Sequence, residues 1–154
     1  MNTTLVYIEK EDKYLMLHRI KKKNDINKDK WIGIGGKFME GESPEECVRR
    51  ETLEETGLTL GKIAYRGIIT FIFNKNETEY MHLFTCRDFF GTQRECDEGV
   101  LEWVNKKDVY TLPIWEGDKI FFKLLEGEYP FFSLKLIYDG DRLLSAVLDG
   151  KTLL

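Results

Sequence analysis

The sequence is short of the residues that cross-link a chain or anchor it in a membrane. Its three cysteines, Cys47, Cys86 and Cys96, are an odd number without paired spacing, which indicates neither a disulfide framework nor a zinc site. No stretch approaches 18 apolar residues, and the first residues lack a basic segment followed by an apolar run. We therefore expect a cytoplasmic protein that does not enter a membrane.

Positive charge and linker segments are scarce as well. With 23 basic and 27 acidic residues, the net charge is −4, which argues against a nucleic-acid polymer as partner because such binding needs a basic face. No repeat, low-complexity tract or Pro/Gly/Ser linker divides the 154 residues, and 42% of them are hydrophobic. The composition predicts a single domain over residues 1–154.

The strongest local signal is a helix whose two ends are both marked. Ser43 is a natural N-cap, Pro44 suits the first helical position, and Glu46 stands where a capping box places its carboxylate. Gly57 is suited to the left-handed conformation that commonly ends a helix. These signals predict a helix over 44–56.

Three glutamates of that helix share one face. Glu51, Glu54 and Glu55 are three or four residues apart or adjacent, so their like charges repel. A bound hard cation such as Mg²⁺ or Mn²⁺ is the simplest compensation, since these ions take oxygen ligands and bind jointly with substrate phosphates. The alternative interpretation is a solvated acidic face.

The spacing of the charged residues and glycines is specific. From Gly36 the order is five residues, Glu42, seven residues, Arg50-Glu51, two residues, Glu54-Glu55, one residue, Gly57 and an apolar Leu58. This pattern resembles the Nudix box, the signature of hydrolases that cleave nucleoside diphosphates linked to another moiety. One departure is Thr52, where the family prefers a bulky aliphatic residue, although the Thr methyl can still pack.

The resemblance implies roles for these residues. Metal ligands would be the Gly35 carbonyl, Glu51, Glu54 and Glu55, and Arg50 would pair with a carboxylate and fix its rotamer. Glu42 would cap or complete the site. The general base would be Glu51, Glu54 or a loop carboxylate, for which Glu98 matches by its offset from Trp103 and Asp97 is the competing choice.

Substrate contacts are expected around this helix. Arg19, Gly36 and Lys37 are candidates for phosphate contacts, with a structural or solvated role as the alternative for the two cations. The charged run over 21–30 is either a solvated loop or a mobile basic flap. Phe71 and Phe73 share one face of a predicted strand and are either core residues or a platform for a nucleobase.

Within the Nudix family the chain looks most like the MutT group, which sanitises oxidised purine nucleoside triphosphates. The likeness rests on residues 31–37, the Asp97-Glu98 loop and residues 112–115. It implies that Trp115 stacks on a purine and that Asp118, or alternatively Glu116, bonds its edge. Ile32 stands where the eukaryotic homologue has a base-reading Asn, which removes one polar contact.

The remaining elements follow from periodicity and breakers. Strands are expected over 3–8, 14–19, 31–37, 63–73, 78–89, 102–104, 131–138 and 143–148, a helical turn over 106–112 and a second helix over 116–126. Two helices among strands indicate an α+β fold. The Nudix resemblance makes this an α/β/α sandwich with a central mixed sheet.

Three hypotheses for function remain. The first is Mg²⁺-dependent hydrolysis of a nucleoside triphosphate, with 8-oxo-dGTP as the candidate, to monophosphate and pyrophosphate. The second moves the same chemistry to another NDP-linked compound, such as a nucleotide sugar, ADP-ribose or a dinucleoside polyphosphate. The third is a nucleotide-binding module without catalysis. A small nucleotide is the expected partner, and both a monomer and a homodimer are open.

Overall fold

The structure, a computed structural model, describes residues 1–154. The strands are β1 (Asn2–Lys10), β2 (Lys13–His18), β3 (Trp31–Ile32), β4 (Ile34–Lys37), β5 (Leu58–Leu60), β6 (Ile63–Phe73), β7 (Glu79–Cys86), β8 (Phe89–Gly91), β9 (Val100–Asn105), β10 (Phe132–Asp139), β11 (Arg142–Leu148) and β12 (Lys151–Thr152). The helices are α1 (Pro44–Thr56), a 3₁₀ helix (Lys106–Thr111) and α2 (Glu116–Glu126). None of them is long and apolar enough to cross a membrane.

A mixed sheet forms the centre of the molecule. Its order is β12, β11, β10, β6, β7, β1 and β4, with β1 parallel to β7 and β10 parallel to β6. The far end of β1 forms a hairpin with β2, which also pairs with β3 and β9. The parallel pairing of β1 with β7 places β4, the strand that enters the acidic helix, two positions from β7.

The two helices cover opposite faces of the sheet. Successive side chains of β1 alternate between faces. Val6 packs in one core cluster with Val48 of α1, whereas Tyr7 packs in the other with Phe121 and Phe122 of α2. The predicted α/β/α sandwich with a central mixed sheet is confirmed.

The ends of α1 lie where the sequence places them. The Ser43 hydroxyl accepts from the Glu46 N–H at 3.1 Å, and Glu46 Oε1 accepts from the Ser43 N–H at 2.9 Å, which completes the capping box. Gly57 has φ of 78°, and its N–H donates to the Leu53 carbonyl at 3.0 Å. Thr52 is fully buried, so its methyl packs as expected, but its hydroxyl lacks a partner.

Three details differ from the sequence-based expectation. The strand expected over 31–37 is interrupted at Gly33, where a Cβ would lie 2.8 Å from the Val6 carbonyl oxygen. The short strands β5 and β8 pair with each other and were not expected, because three residues carry too little periodicity. The turn between β10 and β11 uses residues 140–141 instead of 139–140, since Asp139 pairs with Arg142.

Ser43→Ala is expected to lower the free energy of unfolding by about 1 kcal/mol, because it removes the acceptor for an otherwise unpaired helix N–H. Urea unfolding measures the loss. Ser43→Thr keeps the hydroxyl and serves as the control, with a clearly smaller effect. Equal losses in the two variants would contradict a capping role for this side chain.

Candidate active site

A cavity lies beside β1 and β4. Its volume of about 440 Å³ is within the usual range of ligand pockets. Its walls come from β1, β4, α1, β6, β7, the start of α2 and the loops that carry Asn27 and Glu98. Of the five acidic residues in the wall, Glu51, Glu55 and Glu98 form one set, and Glu79 and Asp118 lie apart from it in the sequence. Another set is largely apolar or aromatic, namely Leu5, Tyr7, Ile26, Ile32, Phe71, Met81 and Trp115. We call the first set the acidic end of the cavity. We call the second set the base end, after the nucleobase that the sequence predicts there.

Glycines let the acidic side chains approach the β4 backbone at the acidic end. The Gly35 N–H donates to Glu55 Oε2 at 3.2 Å. A Cβ on Gly36 would lie 2.4 Å from the Glu51 carboxyl carbon, so a larger residue there would displace that carboxylate. The sequence places Gly35 and Gly36 near the glutamates, and the structure brings them together.

The Gly35 carbonyl faces away from β1. Gly35 lies opposite Leu5 in the antiparallel β1–β4 pair, and its N–H points to Glu55 rather than to β1. Because the N–H and C=O of one strand residue point to the same edge, the carbonyl also faces away from β1, toward the side occupied by Glu55.

Two carboxyl groups at this end share one proton. Burial and then the neighbouring Glu98 raise the pKa of Glu55 to about 9. Burial would also raise the pKa of Glu98, but the hydrogen bond from Glu55 and the charge of Arg19 outweigh it, so the net shift is downward. Glu55 is therefore neutral and Glu98 ionised at pH 7, as expected of two carboxyl groups held close together.

These donors fit a hard divalent cation. Ligand atoms of Glu55, Glu98 and Cys96 lie within 4.8 Å of one another, and Glu51 lines the same cavity. Burial raises the pKa of the Cys96 thiol, so it stays protonated and is a poor ligand, since the thiolate is the form that binds metals. The oxygen donors that remain are of the kind Mg²⁺ and Mn²⁺ prefer.

Arg50 connects the loop before α1 to the acidic face of the helix. Its guanidinium holds Glu42 through two contacts, 2.6 Å from Nε to Oε2 and 2.9 Å from Nη2 to Oε1. Nη1 donates to Glu51 at 2.9 Å and to Glu54 at 3.2 Å, and Nη2 donates to the Lys37 carbonyl at 3.0 Å. Arg50 thus makes the carboxylate pairings that the sequence predicts for it.

The structure separates the predicted acidic residues into two groups. Glu51, Glu55 and Glu98 line the cavity, whereas the Glu54 side chain is 59% exposed, lies outside the cavity wall and contacts Arg50. Asp97, the alternative to Glu98, is exposed and does not line the cavity.

At the base end, Trp115 and Asp118 are 4% and 5% exposed and both line the cavity. Glu116, the alternative to Asp118, is exposed and paired with Lys119. Burial raises the pKa of Asp118 well above its usual range, an effect that Lys30 partly opposes. A carboxyl group kept neutral in this way can both donate and accept a hydrogen bond.

The two predicted phenylalanines have different positions. Phe71 lines the cavity and packs edge-on with Trp115 at a ring distance of 5.2 Å. Phe73 lies 5.7 Å from Trp115 but is not part of the cavity wall. Phe73 therefore packs against Phe71 and Trp115 of the aromatic cluster, outside the cavity wall.

The charged run over 21–30 folds against the cavity. Its backbone is fastened at both ends, since the Arg19 N–H donates to the Lys30 carbonyl at 2.9 Å and the Asp29 N–H donates to the Arg19 carbonyl at 2.6 Å. Arg19 lines the cavity but is paired with Asp25 and Glu98, each at 2.7 Å. Lys37 is exposed at the cavity wall.

Sequence reasoning missed two polar residues of the base end. Tyr7 lines the cavity, and its buried hydroxyl has no partner in the protein. Asn27 also lines the cavity, and its Oδ1 accepts from Trp115 Nε1 at 2.7 Å. Neither carried a local signal, because Tyr7 belongs to a regular strand and Asn27 to a charged run without periodicity.

Comparison with known proteins agrees with this geometry. The profile of the NUDIX domain matches residues 1–125. The oxidized purine nucleoside triphosphate hydrolase of Mus musculus is 32% identical over 125 residues, 80% of each chain, and that of Danio rerio is 37% identical over 106 residues, 68% of this chain and 67% of the relative. A MutT mutator protein from Bacillus halodurans superposes with a TM-score of 0.83 at 30% identity, covering 96% and 97% of the two chains.

The chain belongs to the Nudix family, and it is a Nudix pyrophosphohydrolase. Within that family it is most like the MutT group, as the sequence predicts. Nudix hydrolases generally use a divalent metal ion.

The Arg50–Glu42 pair makes stability depend on acid. The hydrogen bonds from Arg50 and then from the Met39 N–H lower the pKa of Glu42 from 4.5 to about 2, so the folded protein binds fewer protons there than the unfolded chain. The pair therefore stabilises the fold above pH 4.5, and its contribution is lost as the pH falls toward 2.

Glu42→Gln is expected to be less stable than the wild type at pH 7, by an amount that shrinks as the pH falls below about 4.5. Urea unfolding between pH 7 and pH 3 measures the difference. Glu40→Gln, an exposed neighbour, serves as the control. A difference for Glu42→Gln that is as large at pH 3 as at pH 7 would contradict the ion pair.

Proposed function

We propose that the protein hydrolyses purine nucleoside triphosphates to a monophosphate and pyrophosphate with Mg²⁺, and that oxidised purines such as 8-oxo-dGTP are preferred. The observation that carries this proposal is one cavity with an acidic end and an aromatic base end. A triphosphate with its metal suits the first, and a purine suits the second. The mouse and zebrafish relatives are oxidized purine nucleoside triphosphate hydrolases, which supports the same class of substrate here.

In the proposed site, Gly35, Glu51, Glu54 and Glu55 hold Mg²⁺ or Mn²⁺. The bound ion would neutralise phosphate charge and acidify a water. Arg50 positions Glu51 and links it to Glu42. Glu51 and Glu98 line the cavity and are the candidates for proton acceptor, whereas Glu54 would have to turn away from Arg50 to take either role.

The substrate is held by different residues at its two ends. Gly36, Lys37 and Arg19 lie on the wall where phosphates would extend from the metal. At the base end we assign stacking to Trp115 and Phe71, and the polar edge of the purine to Asp118. Phe73 acts by supporting Trp115.

We also propose that residues 1–154 act as one Nudix domain. The matched profile ends at residue 125, but β10 supplies Leu134, Leu136 and Tyr138 to the core cluster that holds Trp115. The wall of the base end therefore depends on strands beyond the matched segment. We retain a cytoplasmic location as part of the proposal.

Product analysis tests the function directly. Incubation with Mg²⁺ and 8-oxo-dGTP, dGTP, other triphosphates, ADP-ribose or a dinucleoside polyphosphate is expected to release monophosphate and pyrophosphate from triphosphates, fastest from 8-oxo-dGTP. Glu55→Gln should lower turnover about a hundredfold or more because it removes a metal-binding charge. Glu45→Gln makes the same change at an exposed position of α1 and should leave turnover near that of the wild type.

Two results of that panel would contradict the proposal. Hydrolysis confined to ADP-ribose or the dinucleotide would keep the acidic end but remove the assignment of the base end. Binding without cleavage of any compound would identify a nucleotide-binding module.

Metal binding should release about one proton at pH 7, because Glu55 is protonated below its pKa of about 9 and must ionise to bind a cation. Titration calorimetry with Mg²⁺ in buffers of different ionisation enthalpy measures the release. The apparent affinity should rise with pH toward 9, and Glu55→Gln should abolish the release. Heats that do not depend on the buffer would show that Glu55 does not bind the ion as a carboxylate.

A further inference from the structure

Asn27 lies on the wall of the base end. Hydrogen bonds fix its position, and no protein atom accepts from its side-chain Nδ2. Asn27 belongs to the loop over 21–30, lines the cavity, and contacts Trp115. Nearby, Ile32 lines the same cavity with an apolar side chain. The wall therefore has an amide on the loop that precedes β3 and none on β3 itself.

The orientation of the Asn27 amide is fixed by its partner. An indole N–H can only donate, so the atom 2.7 Å from Trp115 Nε1 must be the Asn27 oxygen and not the nitrogen. The other hydrogen bonds of Asn27 within the protein use its backbone N–H and C=O. Both hydrogens on Nδ2 are therefore left without a protein partner beside the cavity.

The position of Asn27 is also fixed from the opposite side. Its backbone N–H donates to Asp25 Oδ1 at 3.0 Å, while Asp25 Oδ2 accepts from Arg19 Nε at 2.7 Å. Arg19 in turn donates to Glu98 at the acidic end at 2.7 Å. A continuous polar chain thus holds the amide in place before any substrate binds, which reduces the ordering cost of binding.

We infer that Asn27 reads the substrate base by donating from Nδ2 to an oxo group, which selects purines with an oxo group at that position over purines with an amino group or a hydrogen there. The inference rests on the proposed function, whose base end it makes more specific. A donor amide pairs with a carbonyl oxygen, whereas an amino group would leave two donors facing each other. The amide supplies the polar contact that Ile32 cannot make.

Asn27→Asp is the decisive variant, because its carboxylate still accepts from Trp115 Nε1 but offers an acceptor where Nδ2 offered donors. The measurement is kcat/KM with Mg²⁺ for two pairs, dITP with dATP and 8-oxo-dGTP with dGTP. We expect the wild type to prefer the oxo-bearing member of at least one pair by about tenfold or more. Asn27→Asp should abolish or invert that preference, and Asn27→Leu should abolish it.

Asn24→Asp provides a matched control, since it adds the same charge to the same loop at an exposed position outside the cavity wall. It should keep the preference of the wild type. The inference is overturned if Asn27→Asp leaves both ratios unchanged within about twofold, or if Asn24→Asp shifts them equally. A wild type that cleaves no triphosphate would instead overturn the proposed function, and the inference with it.

Discussion

The acidic end depends on the hydrogen bonds of one guanidinium. Arg50 lies among Glu42, Glu51 and Glu54 and also holds the Lys37 carbonyl, so it joins the end of β4, the following loop and the face of α1. Without this cation, Glu51 and Glu54, which are three residues apart on α1, would repel each other. Its planar fork satisfies several oxygens at once, a geometry that a lysine ammonium cannot reproduce.

The second constraint is that the acidic end and the base end belong to one cavity but are built by different parts of the chain. The loop over 21–30 connects them, because its Lys22 contacts Glu98 at the acidic end while its Lys30 lies 4.4 Å above the Trp115 ring at the base end. The loop is therefore neither a purely solvated segment nor a free basic flap. Two of its lysines contact the cavity wall, Lys22 through the Glu98 carboxylate and Lys30 through the Trp115 indole.

The parts of the structure that sequence could predict are those with local causes. The bounds of α1 follow from Ser43, Pro44 and Gly57, which act within one turn of the helix, and the predicted bounds of α2 also match. The grouping of Glu51 with Glu55 follows from helical periodicity. The α/β/α fold could be predicted because the spacing resembles the Nudix box, since composition alone does not specify a fold.

What sequence could not predict depends on contacts between distant segments. The pairing of Asn27 with Trp115 joins residues 88 apart. Glu51 and Glu54 both contact Arg50, yet only Glu51 lines the cavity. The burial of Asp118 depends on how closely α2 approaches β10. Such distances are set by packing across the sheet, for which the local pattern carries no signal.

The contact between α2 and β10 explains why the base end can change without a change at the acidic end. Gly117 donates its N–H to the Tyr138 hydroxyl at 2.8 Å, and a Cβ there would lie 2.4 Å from Leu136. The missing side chain lets the first turn of α2 lie directly on β10, and this contact positions the adjacent Asp118. None of these residues belongs to the Nudix pattern. Changes at this contact can therefore reshape the base end of the cavity while Arg50 and its carboxylates keep their arrangement.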